Sequence, residues 1–210
     1  MIITIHRGSC EIGGSCIEIE GQGGSRILLD IGKPLAEGGV ALRMPSQLDG
    51  VLISHAHQDH YGLLEKVAQN IPVWLGAPTK RLMEVTGQFT GQNFHVANPQ
   101  IFQSFRTFTC GEFQITPYLV DHSAFDAHGF LIEDGRTRLF YSGDFRGHGR
   151  KAVLLERLEE YPVPAVDVLL LEGTTIGRKD EDIVTEDDLE ERIAKRLKAS
   201  ESLALTCVSG

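Results

Sequence analysis

One stretch constrains what this chain can fold into more than any other: Ser54-His55-Ala56-His57-Gln58-Asp59-His60, directly after the apolar residues Val51-Leu52-Ile53. The apolar residues read as a buried strand, so three imidazoles and a carboxylate are delivered within six positions of a strand end. Imidazole nitrogen and carboxylate oxygen are the ligands that suit zinc and neighbouring divalent ions. His55 and His57, two apart, project to one side of an extended chain, and Asp59 and His60 come as the chain turns into a helix. One pair can hold a first metal ion and the other pair a second. The alternative is a cluster of solvated histidines.

With 210 residues, 41% hydrophobic and 23% charged, the chain is long enough for one substantial core and does not read as disordered. No apolar run approaches the roughly 20 residues that cross a bilayer, and residues 1–7 alternate like a strand rather than a signal peptide. A cytoplasmic location without a membrane partner is expected. Cys10, Cys16, Cys110 and Cys207 form no C-x-x-C pair, so buried reduced thiols are expected rather than a zinc ribbon or redox motif. A net charge of -9 argues against a broad basic surface for nucleic acid but leaves room for a local cationic groove.

Residues 2–6, 16–20 and 26–30 read as short strands, with Gly21-Gln22-Gly23-Gly24-Ser25 as the hairpin turn between the last two. That glycine cluster lacks the lysine and the Ser or Thr that close a phosphate-binding loop before a helix, so nucleotide binding is not expected. After the strand at 51–53, residues 60–69 look helical, 72–75 return to strand, and a helix over roughly 79–89 starts behind Pro78. Residues 90–104 give no regular signal and are expected to be loop. Strands at 113–120, 128–133 and 137–142, a helix near 151–160 and a strand over 166–171 follow. Leu189, Ile193 and Leu197 fall four apart in a charged helix that Thr185 can cap, with Asp188 three residues on. Residues 203–208 read as one more strand. Meanders of strands with helices between them fit stacked sheets with helices on the outer faces, an α/β (α+β) sandwich.

Three further strand ends carry acidic or imidazole groups: Asp30, Asp121-His122, and Asp144 within Tyr141-Ser142-Gly143-Asp144. A single Asp after a strand is commonly a turn former. Together with the histidine run these residues read as one site. Through Asp30, His55-Ala56-His57-Gln58-Asp59-His60, His122 and Asp144, in that order, the chain resembles the metallo-β-lactamase fold superfamily over about residues 2–172. The resemblance implies an αββα sandwich with two metal ions along one edge of its sheets. His55, His57 and His122 would bind the first ion, Asp59 and His60 the second, Asp144 would bridge both, and Asp30 would orient ligands from behind them.

The segments Asp121-His122-Ser123, Asp126-Ala127-His128-Gly129-Phe130, Tyr141-Ser142-Gly143-Asp144-Phe145-Arg146 and Leu171-Glu172-Gly173-Thr174-Thr175 are similar to the RNase J and β-CASP nucleases. Glu172 would match the acidic residue of that branch's motif A and, like Asp30, would stand behind the ligands. The His-Thr-Pro-Gly type turn of glyoxalase II relatives is absent. In the nuclease branch a β-CASP domain is inserted after the strand that here ends at Gly210, and the chain then returns with a further histidine for the second ion. The resemblance therefore implies that residues 1–210 are the N-terminal portion of a metallo-β-lactamase-like domain, incomplete at its C-terminal end.

The implied activity is metal-dependent hydrolysis by a hydroxide bridging two divalent ions, zinc first, with manganese and iron as alternatives and Asp59 and Asp144 as the catalytic carboxylates. Such ions bring the pKa of water from about 15.7 towards about 7. RNA is the implied substrate of the complete protein, which would make it a phosphodiesterase or ribonuclease of RNA processing. A hydrolase of small esters or thioesters on the same fold is the competing enzyme reading. The third is a metal- or partner-binding fragment without turnover, for which the unfilled sheet edge near 203–208 would favour self-association. His128, His148 and Glu172 are the candidates for the leaving-group acid, with hydrogen-bonded or surface imidazole as the alternative for the two histidines. Arg146, Arg150 and Lys151 either face phosphates or form a solvated cluster.

Overall fold

Short alternating strands at the N-terminus pair as a meander, and the longer apolar segments that follow add to it by crossover. β1 (Ile2–Arg7), β2 (Cys16–Glu20) and β3 (Arg26–Leu29) are antiparallel; β4 (Gly50–Leu52), β5 (Val73–Gly76) and β6 (Pro99–Phe102) extend the sheet in parallel, in the order β1-β2-β3-β4-β5-β6. This is a computed structural model, and it describes residues 1–36, 42, 44–45, 47–91, 94–177, 184–199 and 204. A second sheet is made by β7 (Phe108–Cys110), β8 (Phe113–Leu119), β9 (His128–Glu133) and β10 (Arg138–Tyr141), all antiparallel, with β11 (Val168–Leu170) parallel to β10 at the edge.

The period of two decides which side chains meet. Ile17, Ile19, Ile27 and Leu29 of the first sheet and Phe113, Ile115, Phe130 and Ile132 of the second point inward and form one core between the sheets. The intervening Leu28 and Val51 point the other way. They join Tyr61, Leu64 and Met83 in a second core beneath α1 (Gln58–Tyr61), a 3-10 turn at Leu64–Lys66, and α2 (Ala77–Phe89). On the far side of the second sheet, α3 (Val153–Glu160) buries no residue fully, and Leu154, Leu155 and Leu158 line an apolar cavity of about 450 Å³ against Phe140 and Leu169. α4 (Glu186–Ala199) follows. The architecture is the expected mixed α/β sandwich of two sheets with helices outside. The strand expected over 203–208 lies outside the described residues.

Two expectations are corrected. Residues 60–69 are not one helix: Ile31 N–H donates to the carbonyl of His60 at 2.8 Å and Leu63 N–H donates to the carbonyl of Ile31 at 3.0 Å. The main chain here bonds to the neighbouring strand end instead of to its own next turn, which stops α1 at Tyr61. Residues 90–104 contain β6, paired with β5 from Val73↔Pro99 to Gly76↔Phe102. It is an edge strand that begins with proline and buries only Phe102, so its sequence carries no alternation. β7, immediately before the first strand expected in that half, was likewise silent. The Thr185 cap is present as a reciprocal box, Thr185 Oγ1 accepting from Asp188 N–H at 3.1 Å and Asp188 Oδ2 from Thr185 N–H at 3.1 Å. Cys16 and Cys110 are buried as expected of reduced thiols, whereas Cys10 is exposed; Cys207 is outside the described residues.

Candidate metal centre

Four strand ends, those of β3, β4, β8 and β10, bring the expected residues to one place. β3 ends at Asp30, which is wholly buried and takes a left-handed backbone (φ 58°) that turns its carboxylate back under the neighbouring strand end. Its Oδ1 accepts the Ser54 N–H at 2.7 Å; its Oδ2 accepts the hydroxyls of Ser54 and Tyr141, each at 2.8 Å. His60 Nδ1 lies 2.8 Å from the same Oδ2. This fixes the ring so that Nε2 faces the other way, 3.3 Å from Asp144 Oδ1 and 3.9 Å from Asp59 Oδ2. Asp30 thus stands behind a candidate ligand and orients it.

A second group converges beside the first. His55 Nε2 is 3.1 Å from His57 Nδ1, and His122 Nε2, delivered after β8, is 3.3 Å from the same nitrogen. The other nitrogen of His55, Nδ1, is engaged by Ser54 Oγ at 3.0 Å. His55, His57 and His122 form one set of candidate ligand atoms within 4.8 Å of each other, and His55, His60 and Asp144 form another.

The two groups differ in charge. Burial, reinforced by the neighbouring imidazoles, pushes His55 well below the ordinary histidine value. Burial also lowers His57, only partly offset by Asp59, and takes His122 down to about 4 against the pull of Asp144. All three are therefore neutral near pH 7, with nitrogen lone pairs available to a cation. Burial would lower His60 as well, but Asp30 and Asp144 overcome it and hold His60 up at about 10. For Asp144 burial works upward, and the hydrogen bond and charge of His60 bring it below its usual value. Lone pairs converging at hydrogen-bonding distance, beside carboxylates, are a donor set that fits divalent ions.

The cleft over these residues has a volume of about 860 Å³, with Asp59, His60 and Asp144 on its floor, residues 7–13 on one wall and Glu172–Thr174 on another. Gly13 adopts φ 75°, and a Cβ there would lie 2.8 Å from Asp59 Oδ2, so glycine is what lets this wall close on the carboxylate. Glu172 is not in either donor group. Its Oε1 accepts the Phe145 N–H at 3.0 Å, which ties the end of β11 to the loop carrying Asp144.

A family model described as "Beta-lactamase superfamily domain" matches residues 25–204. The chain belongs to this superfamily. Among its relatives, the RNase J-like protein of Methanocaldococcus jannaschii is 29% identical over 185 residues, covering 83% of this chain and 42% of that one. Transcription termination factor FttA of Methanothermobacter thermautotrophicus is 28% identical over 211 residues, covering 85% and 32%. The chain therefore spans less than half the length of either relative. Among solved structures of the same fold, a protein of unknown function from Enterococcus faecalis V583 superposes with a TM-score of 0.79 at 21% identity, over 94% of this chain and 57% of that one. Zn(2+)-bound PqqB from Methylobacterium extorquens superposes with a TM-score of 0.52 at 19% identity, over 76% and 60%.

Within this superfamily fold, other expected residues fall elsewhere. His128 has both ring nitrogens engaged, Nε2 with Ser104 Oγ at 2.8 Å and Nδ1 with the Asp126 carbonyl at 2.7 Å, so the hydrogen-bonded reading holds for it rather than that of a free acid. Arg146 pairs with Asp121 and Glu186, and Arg150 with Glu190. Lys151 Nζ donates to the Val120 carbonyl at 3.3 Å. Sequence reasoning missed Tyr141 and Ser54 as partners of Asp30. Ser54 lies inside the histidine run and could have been considered; Tyr141 is 111 positions from Asp30, and no local pattern announces that contact. No helix among the described residues is long and apolar enough to cross a membrane.

Proposed function

We propose that this chain carries the two-ion centre of a metal-dependent phosphodiesterase acting on RNA, a ribonuclease in the complete protein. The observation that carries the proposal is the convergence of His55 Nε2, His57 Nδ1 and His122 Nε2 beside the His60–Asp144 pair, with His55 common to both groups. The names of the relatives, an RNase J-like protein and a transcription termination factor, favour RNA over a small ester. In this reading His55, His57 and His122 would hold the first ion, Asp59 and His60 the second, and Asp144 would serve both. Zinc suits the donors, manganese and iron being alternatives. A cytoplasmic location is part of the same proposal.

When bound, such ions supply an acidified water and positive charge against the non-bridging phosphate oxygens. The residues do the rest. Asp30, by keeping its contact with His60 Nδ1, leaves Nε2 as the donor that faces the cleft. Ser54 holds the His55 ring through Nδ1 in the same way and so directs its Nε2 toward His57. Asp59 and Asp144 place two carboxylates at the cleft floor, where they would offer anionic oxygens to divalent ions. Glu172 keeps the Phe145 amide, and with it the Asp144 loop, in register.

Single-stranded RNA incubated with the complete protein and zinc or manganese should be cleaved, and His57→Ala or Asp144→Ala should abolish the cleavage. Undiminished cleavage in both variants would overturn the two-ion reading. Turnover of glutathione thioesters in preference to RNA would replace the substrate class.

A further inference from the structure

A second set of charges links the candidate ligands without belonging to them. Asp121 precedes His122, and its side chain is fully buried, a rare place for a carboxylate unless it is paired. Its Oδ2 accepts the Gly149 N–H at 2.8 Å and lies 3.5 Å from Arg146 Nε, while its main-chain carbonyl accepts the Arg146 N–H at 2.7 Å. A Cβ at Gly149 would lie 2.6 Å from both carboxylate oxygens, so this approach requires glycine. The far end of the Arg146 guanidinium pairs with Glu186 in the first turn of α4, and the other oxygen of Glu186 accepts the Arg150 N–H at 2.8 Å.

The consequence lies in what is joined. His122 follows Asp121 by one residue, and Arg146 follows Asp144 by two. The clamp therefore ties the loop after β8, which carries the third imidazole of one donor group, to the loop after β10, which carries the carboxylate of the other. We propose that Asp121 and Arg146 are positioning residues that set the spacing between His122 and Asp144, with Glu186 holding Arg146 in place. The inference rests on His122 and Asp144 being metal ligands, as proposed above. A purely stabilising role explains the pair poorly, because buried ion pairs are often no more stabilising than well-packed apolar residues of the same volume, whereas fixing register is a use for which they are known. Groups that orient ligands from behind typically change metal affinity about 10- to 100-fold when removed.

The test is zinc affinity, measured on the full chain by competition with a chromophoric chelator, together with the visible spectrum of the cobalt-substituted protein. Asp121→Asn and Arg146→Ala should each weaken zinc binding about 10- to 100-fold and shift the cobalt spectrum, and Arg146→Lys should recover part of the loss. Glu190→Gln, which breaks only the exposed pair with Arg150, should bind zinc as the parent does. Thermal unfolding of the metal-free variants separates positioning from folding. Unchanged affinity and spectra in Asp121→Asn and Arg146→Ala would overturn the clamp, as would affinity losses that merely follow the loss of unfolding temperature across the series. If the parent chain itself binds no zinc, the ligand reading has failed, a result distinct from that of a parent that binds zinc and variants that bind it equally well.

Discussion

His122 and His60 both send Nε2 toward the candidate centre, yet burial takes the first down to about 4 while Asp30 and Asp144 overcome burial and hold the second up at about 10. The triple-imidazole group is a preformed set of candidate ligands: it carries no proton that a cation would have to displace near pH 7. The His60 group is instead an internal ion pair, in which a proton on Nε2 stands where a cation would go. The same residue type is therefore placed in opposite states by what lies behind it. His55 has a neutral hydroxyl behind it and His60 a buried carboxylate.

The comparison breaks first under truncation. His60→Ala leaves Asp30 and Asp144 without their cationic partner in a buried setting, and the ion-free chain should lose about 3–5 kcal/mol of stability in urea denaturation. His122→Ala removes an uncharged side chain from a group whose members repel when protonated, and the same measurement should show less than about 1 kcal/mol. Equal losses in the two variants would erase the distinction between the groups.

A pH series sharpens it. For His60, whose folded value of about 10 lies above the ordinary 6.5, the stabilisation is fully present below about 6.5 and is lost as pH rises through 10. For His122, lowered to about 4, the unfolded chain takes up a proton first, so stability falls as pH drops from about 6.5 toward 4. Thermal unfolding of the ion-free chain should therefore weaken on both sides of about pH 6.5, and His60→Ala should flatten the alkaline side. A smaller effect than that of His60→Ala belongs to the residue that touches both groups. Ser54→Ala removes the hydroxyl that joins Asp30 to His55, and should cost about 1 kcal/mol while shifting ring signals of both His55 and His60 in NMR spectra.

What was legible in the sequence was local. The Thr185–Asp188 cap spans three positions and is present as read, and the histidine run gathers His55, His57 and His60 in one place, with Asp59 outside both donor groups. Asp30, His122 and Asp144 could be placed because each closely follows a short segment that reads as a strand, and the structure gathers them beside the histidine run. The contacts that hold them there were not legible: Tyr141 reaches Asp30 across 111 positions and Gly149 reaches Asp121 across 28, so the pairing depends on the register of two sheets. β6 was hidden for a related reason, since a short edge strand beginning with Pro99 takes its conformation from β5 and not from its own residues. The helix expected over 60–69 failed because Ile31, distant in sequence, captured the main-chain groups of His60 and Leu63.

Zinc titration of the ion-free chain by calorimetry at pH 6.5, 7.5 and 8.5 tests the two-group centre most directly. A first ion should bind to His55, His57 and His122 with little dependence on pH and little proton release. A second should bind more weakly, release one proton from His60, and gain about tenfold in affinity per pH unit. A single event with no proton release, or zinc binding that survives His57→Ala and His122→Ala unchanged, would contradict the two-group centre.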